Sequence, residues 1–395
     1  MDKHKNYFDF KGKNAEKFVH ELALKTFLTD WCYLNPKLPN GKELCDLLVV
    51  FDEIAIIWQV KDLKLDHNGK YNESEAQKNL RQLSGARRQL FDLKTPIKLK
   101  NSRRRQELFN PAEIKQIYSI SVFLGQEEEF FPLVEIVKKY TVHIFTRNST
   151  KIILSELDTI SDFVKYLKEK ENLINTDKTL VITGGEEESL AFYLLNDRSF
   201  KRFENADNIF IEQGAWEHIQ NKPEYKLKKK ADEISYGWDS IIDRVHEGSP
   251  KYETVARELA RPNRFMRRYL SKVFFEAYVQ AHEDKEHDLY RRILLSQGTT
   301  YCFLFQDDPD PRERRRSMLG AICYIARGMN KQNAKVIGIA TEKTGGPDCS
   351  YDFCLMNIPE WTEECQTHME KLQKETGIFV NPIIGRTTED EYPSH

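Results

Sequence analysis

The chain has 395 residues, 40% hydrophobic and 31% charged, with a formal net charge of -2. That length suggests two to three domains of about 150 residues, and the near-neutral balance confines any nucleic-acid-binding surface to local patches. No apolar run reaches the roughly 18 residues of a membrane span, and the seven Cys show no CxxC spacing, which argues against a disulfide framework or a structural zinc site. The polar opening MDKHKNYFDFKGKNAEKF does not read as a secretory signal. A cytoplasmic protein with reduced thiols and no membrane partner is expected.

In chain order, residues 14–30 carry helical periodicity with Asn14 as a candidate N-cap. After the loop NPKLPNGKE, the apolar runs LCDLLVVF (44–51) and IAIIWQVK (54–61) are separated only by Asp52 and Glu53. They read as a hairpin whose turn lacks the favoured Gly. Residues 73–91 form a second helix, with an apolar stripe through Ala76, Leu80, Leu83, Ala86 and Leu90. A further helix and the strand YTVHIFT are expected within 131–145. The order α-β-β-α-β defines a first α/β sandwich domain over 1–150. Residues 151–235 read as a mixed α/β connector, with helices at 158–172 and 186–196, a strand at 180–183 and a Lys-rich linker at 221–233. Residues 236–395 read as mostly helical at first, then as a second α/β domain built from 299–306, 312–329, 335–341 and 351–357.

The hairpin carries the chemistry. A two-residue turn pairs Phe51 with Ile54, and counting back pairs Asp46 with Gln59. Opposite residues share a face, and Lys61, two residues beyond Gln59, shares it too. Trp58 faces the other side. A carboxylate among apolar neighbours needs compensation. Two oxygen ligands and a Lys suit Mg²⁺, or Mn²⁺, which polarises a phosphate and acidifies a water, while the ammonium stabilises developing charge. On the first helix Glu16 borders the apolar stripe and can reach the hairpin; Glu21 points toward solvent.

This arrangement resembles the PD-(D/E)XK restriction-endonuclease-like superfamily, most closely its Mrr-like branch with a QxK motif. The resemblance covers about residues 11–145. Its matching residues are Glu16, Asp46, Gln59 and Lys61, with Gln77, Arg81 and Gln82 on the following helix. It implies a restriction-endonuclease-like fold and a Mg²⁺-dependent DNA endonuclease. Asp46, Gln59 and Glu16 would hold the metal, and Lys61 would assist the water. A bacterial restriction or anti-phage role is the natural setting by analogy. Cys45 stands where the family name has Pro, and Gln59 replaces the acidic ligand. That replacement keeps a second reading open, an inactive nucleic-acid-binding or scaffold protein on the same fold. Cutting both strands with one centre per chain implies a homodimer.

Residues 87–105 hold eight basic side chains against Asp92 alone. Arg88, Arg103, Arg104 and Arg105, with Gln77 and Arg81, are the candidate DNA contacts. Two further runs, Arg261/Arg264/Arg267/Arg268 and PRERRR (311–316), either bind nucleic acid or pair with acids such as Asp307, Asp308 and Asp310; pairing is favoured. The glycine pairs in LVITGGEEES and IATEKTGGPD match no phosphate-loop spacing. The C-terminal half is read as recognising DNA, dimerising, or sensing a partner protein or ligand.

Overall fold

The computed structural model describes residues 2–63, 71–125, 132–176, 179–203, 205–248, 252–296, 298–307, 312–345 and 349–393. The protein is mixed α/β: a six-stranded mixed sheet with helices, a helical middle and a second, four-stranded mixed sheet. It divides into two compact units, Met1–Lys226 and Leu227–His395, where the sequence reading set boundaries near 150 and 235. Among the described residues no helix is long and apolar enough to cross a membrane.

The first unit opens with α1 (Asp2–Phe27) and β1 (Cys32–Leu34). The hairpin β2 (Leu47–Phe51) and β3 (Ile54–Asp62) follows, then α2 (Glu73–Arg87). Two short strands, β4 (Lys98–Leu99) and β5 (Glu107–Leu108), pair with each other. Then come β6 (Gln116–Leu124), β7 (Val134–Val137) and β8 (Tyr140–Thr146). The sheet order is β1-β2-β3-β6-β8-β7. β1, β2 and β3 are antiparallel, β6 lies parallel to β3 and β8 parallel to β6, and β7 returns antiparallel on the edge. The helical crossover from β3 to β6 is what a parallel pair requires.

One face of this sheet packs on α2, where Leu48, Ile57, Leu63, Leu80, Leu83 and Leu90 form one core. The predicted stripe of that helix is therefore its buried face, with Ala76 partly buried against the same core. Beyond Arg87 the helix widens into a π turn over Arg88–Asp92. The opposite face carries Trp58, stacked on Phe163 at 5.6 Å and set against Phe27 and Phe145. Phe163 belongs to α4 (Ile160–Ile174), which follows α3 (Arg147–Glu156). Helices beyond residue 150 thus complete the sandwich. A small parallel βαβ follows, from β9 (Thr179–Ile182), α5 (Glu186–Leu195) and β10 (Asn208–Ile211), then α6 (Ala215–Asn221) and α7 (Pro223–Asp232).

Two local expectations are corrected. Asn14 does not cap α1, which begins at Asp2 and carries Asn14 on its exposed side. The helix ends because Leu28 takes a left-handed φ of 64°. The helix expected within 131–145 is β7, whose alternating Val134 and Ile136 pair with β8 across a turn in which Lys138 has φ 59°. The Lys-rich 221–233, expected as a linker, is helical, and the division between the two units falls within it. It holds α7, where buried Lys228 pairs with Asp232 one turn on.

The second unit comprises α8 (Tyr236–Gly248), α9 (Glu253–Ala260), α10 (Arg264–Glu283), β11 (Leu289–Ser296), β12 (Thr299–Gln306), α11 (Arg312–Met329), β13 (Lys335–Thr341), β14 (Tyr351–Asn357) and α12 (Glu363–Thr376). Its sheet runs β11-β12-β13-β14, with only β12 and β13 parallel. α11 packs over it through Leu319, Ile322 and Cys323. Pro262 separates α9 from α10, and the Asn263 side chain caps the latter through Met266 N–H, as a proline-imposed break allows.

Candidate active site

The hairpin register is the predicted one, from Phe51 opposite Ile54 to Leu47 opposite Trp58. Asp52 supplies the turn with φ 50°, a left-handed conformation that Asp tolerates better than most residues. The next step back sets Asp46 against Gln59. Their side chains meet: Gln59 Nε2 donates to Asp46 Oδ2 at 2.8 Å, and Val60 N–H donates to the same oxygen at 2.5 Å. Leu48, Ile57 and Leu63 all face α2, so the strand period puts Asp46, Gln59 and half-buried Lys61 on that same face.

Asp46 is only 3% exposed. Burial is the largest influence on its carboxyl, opposed by the Val60 N–H. A hydrogen bond to the Glu43 side chain and the charges of Glu16 and Glu43 add to the burial effect, and the group is pushed up to about 8. Glu16 is half-buried on α1 and its charge acts on Asp46, whereas exposed Glu21 pairs with Lys17. A buried acid beside further acids, held protonated near neutrality, is a place where a cation would replace a proton.

His20, Glu43 and Asn79 belong to this region and were not singled out from the sequence. His20 lies one turn beyond Glu16, and its Nε2 is 2.9 Å from the Asp46 carbonyl oxygen. A carbonyl only accepts, so Nε2 carries the proton. Burial lowers the pKa of this ring, which favours the neutral form. Asn35 N–H donates to the same carbonyl at 2.9 Å. Asn79 is 1% exposed, and its Oδ1 accepts from Ser121 Oγ at 2.8 Å. Position 79 falls on the apolar stripe of α2 between Ala76 and Leu83. A polar residue there was the signal for it.

The donor set is hard oxygen throughout, which suits Mg²⁺. Among the described residues no three His, Cys, Asp or Glu side chains are gathered to hold an ion. A cation here would be met by one or two carboxylates and the Gln59 amide oxygen. Mg²⁺ accepts such a partial set because it keeps several waters and takes phosphate oxygens.

The predicted DNA-contacting residues are dispersed. Gln77, Arg81 and Gln82 lie exposed on the solvent flank of α2 and Arg88 at the start of the π turn, while Ser84 is buried. Arg103 and Arg105 are exposed. Arg104 is held inward, donating to Glu107 at 2.8 Å and to the Tyr33 hydroxyl at 3.2 Å. Asn101 Nδ2 ties this loop to the Thr29 and Asp30 carbonyls. The basic loop thus sits against the segment entering β1.

Among the described residues the other basic runs are paired with acids. Arg264 and Arg267 both donate to Asp239, Arg268 to Asp232, and Arg312, Arg315 and Arg316 to Asp352. Asp307 instead accepts from Thr344 N–H; Asp308, Asp310 and Pro311 lie outside the described residues. The first glycine pair precedes α5, where Glu186 bonds Lys170 and Tyr166, and Glu188 accepts from Gly214 and Trp216 N–H groups. Those acids are structural. In the second glycine pair, Gly346 lies outside the described residues.

No family model, curated protein or solved structure matches this chain.

Proposed function

We propose that the chain is a Mg²⁺-dependent DNA endonuclease of the PD-(D/E)XK type, acting in restriction or anti-phage defence. The observation that carries this reading is the buried Asp46 carboxyl bonded to Gln59, with the Glu16 charge beside it and Lys61 one pleat along the same face. The topology supports it: an antiparallel hairpin, a helical crossover and a parallel strand, with α1 on the opposite face. Asp46, Glu16 and the Gln59 oxygen would hold Mg²⁺ or Mn²⁺. When bound, the ion supplies Lewis acidity to the phosphate and a more acidic water. Asp46 orients the ligand set through its fixed Oδ2. Lys61 places an ammonium where negative charge grows on the phosphate. A homodimer would set two such centres on opposite strands.

One observation favours a second reading, a binding module. Gln59 brings no charge, and its amide N–H is committed to Asp46. The two readings separate on supercoiled plasmid with Mg²⁺ or Mn²⁺, beside EDTA and Lys61→Ala controls. The nuclease nicks or linearises DNA only with metal, and Lys61→Ala lowers the rate about 100-fold or more. Salt-sensitive DNA retention in EDTA with no cleavage under any metal would favour the binding module.

A further inference from the structure

We propose that Asn79 is a positioning residue for the Asp46–Gln59 centre, its side-chain amide turning to hold the Gln59 oxygen once a cation sits on this face. The inference rests on the metal-site reading above and adds a residue outside its motif.

The anomaly is the Asn79 Nδ2 group. It is buried and has no hydrogen-bond partner, although Oδ1 of the same amide accepts from Ser121 at 2.8 Å. Buried amide donors are almost always satisfied, and one left open needs a reason. α2 cannot swing away to expose it, because Leu80, Leu83 and Leu90 are locked in the core on the same helix. Bulk solvent does not reach it at 1% exposure.

The register says what lies next to it. Ser121 on β6 is the partner of Gln59 on β3. Partner residues on adjacent strands stand side by side on one face. Ile57, two residues before Gln59, faces α2, and Ser121 faces it as well because it bonds Asn79. Gln59, Ser121 and Asn79 thus form a row from the hairpin to α2. Gln59 Nε2 points to Asp46, so its Oε1 is the end that remains for a ligand. A side-chain amide can rotate by half a turn and exchange these ends. A donor beside Oε1 removes that ambiguity, and Asn79 Nδ2 is the open donor in the row.

The test is Mn²⁺ binding by the full chain, followed by calorimetry or by the loss of free-ion paramagnetic signal, with a thermal melt of each variant. Asn79→Leu with Ser121→Ala replaces both polar partners by apolar groups, a change that leaves stability nearly unaltered. The double variant should melt within a few degrees of the wild type and bind Mn²⁺ at least tenfold more weakly. Asn79→Ser is the second variant should the first not fold, with the same direction of effect. Binding of equal strength by wild type and folded Asn79 variants overturns the inference while leaving the metal site standing. Absence of Mn²⁺ binding by the wild type overturns the metal-site reading and the inference with it. A lowered melting temperature with unchanged affinity assigns Asn79 a structural role only and likewise overturns it.

Discussion

Asp46 shows how one residue ties stability to the proposed chemistry. Its carboxyl keeps a proton up to about pH 8 in the fold, against 3.8 as the ordinary value. Between those limits the folded state binds more protons than the unfolded chain, so stability falls as pH rises from about 4 to about 8 and then levels. The slope contributed is at most about 1.4 kcal/mol per pH unit. Asp46→Asn keeps an oxygen for the Val60 and Gln59 donors and carries no charge. It should raise the melting temperature at pH 8 relative to the wild type, by more than at pH 5. In the wild type, Mg²⁺ should raise the melting temperature more at pH 8 than at pH 5, because the ion takes the place of the proton; in Asp46→Asn it should raise neither. A wild-type melting curve that does not move between pH 5 and pH 8 would contradict the buried, protonated carboxyl. Asp46 and Gln59 were legible because a two-residue turn fixes pairing by counting. His20 and Glu43 were not, since they approach through helix packing and a loop that no local period encodes, whereas Asn79 showed only as a polar residue on an apolar helical stripe.

At the scale of elements, period decides what can be read. The stripe on α2 and the alternation on β3 each face a core, so their residues were assigned correctly. β7 was missed because four residues on a sheet edge, none of them fully buried, give too short an alternation to outweigh a helical reading. β6 was missed for the opposite reason. Seven of its nine residues are buried, with Ser119 and Ser121 among them, so neither a continuous apolar run nor a polar-out alternation marks it as a strand. The α2 packing is testable. Leu83 is fully buried among Ile57, Leu80 and Leu90, and Leu83→Ala should cost about 2–5 kcal/mol in denaturant unfolding. Arg81→Ala, exposed on the same helix, should cost under about 0.5 kcal/mol. Equal losses would mean that the stripe does not define the buried face.

Across the whole molecule, Arg and Lys serve two opposite purposes that composition alone cannot separate. In the second unit Arg264 and Arg267 have side chains 3% and 2% exposed and share Asp239. They are internal braces whose partner lies more than 20 residues away in sequence, so the pairing cannot be read from neighbouring residues. Removing one leaves a buried carboxylate under-compensated, so Arg267→Met should destabilise by about 3 kcal/mol or more without a specific effect on DNA affinity in folded protein. In the first unit Lys98, Lys100, Arg103 and Arg105 are exposed on a loop pinned by Asn101 and Arg104. A pinned loop presents its charges at little cost in ordering, and the segment it is pinned to runs on to Asn35, which holds the Asp46 carbonyl. If these four meet a duplex backbone, replacing them with Gln should leave the melting temperature nearly unchanged. The slope of log affinity against log salt should become shallower by about 0.9 for each phosphate that is no longer neutralised, up to about 3.6. Affinity measured at three or more salt concentrations, in EDTA to prevent cleavage, reads that slope directly. An unchanged slope would move the DNA track away from this loop and onto the exposed flank of α2, where Arg81 and Arg88 are the next residues to replace.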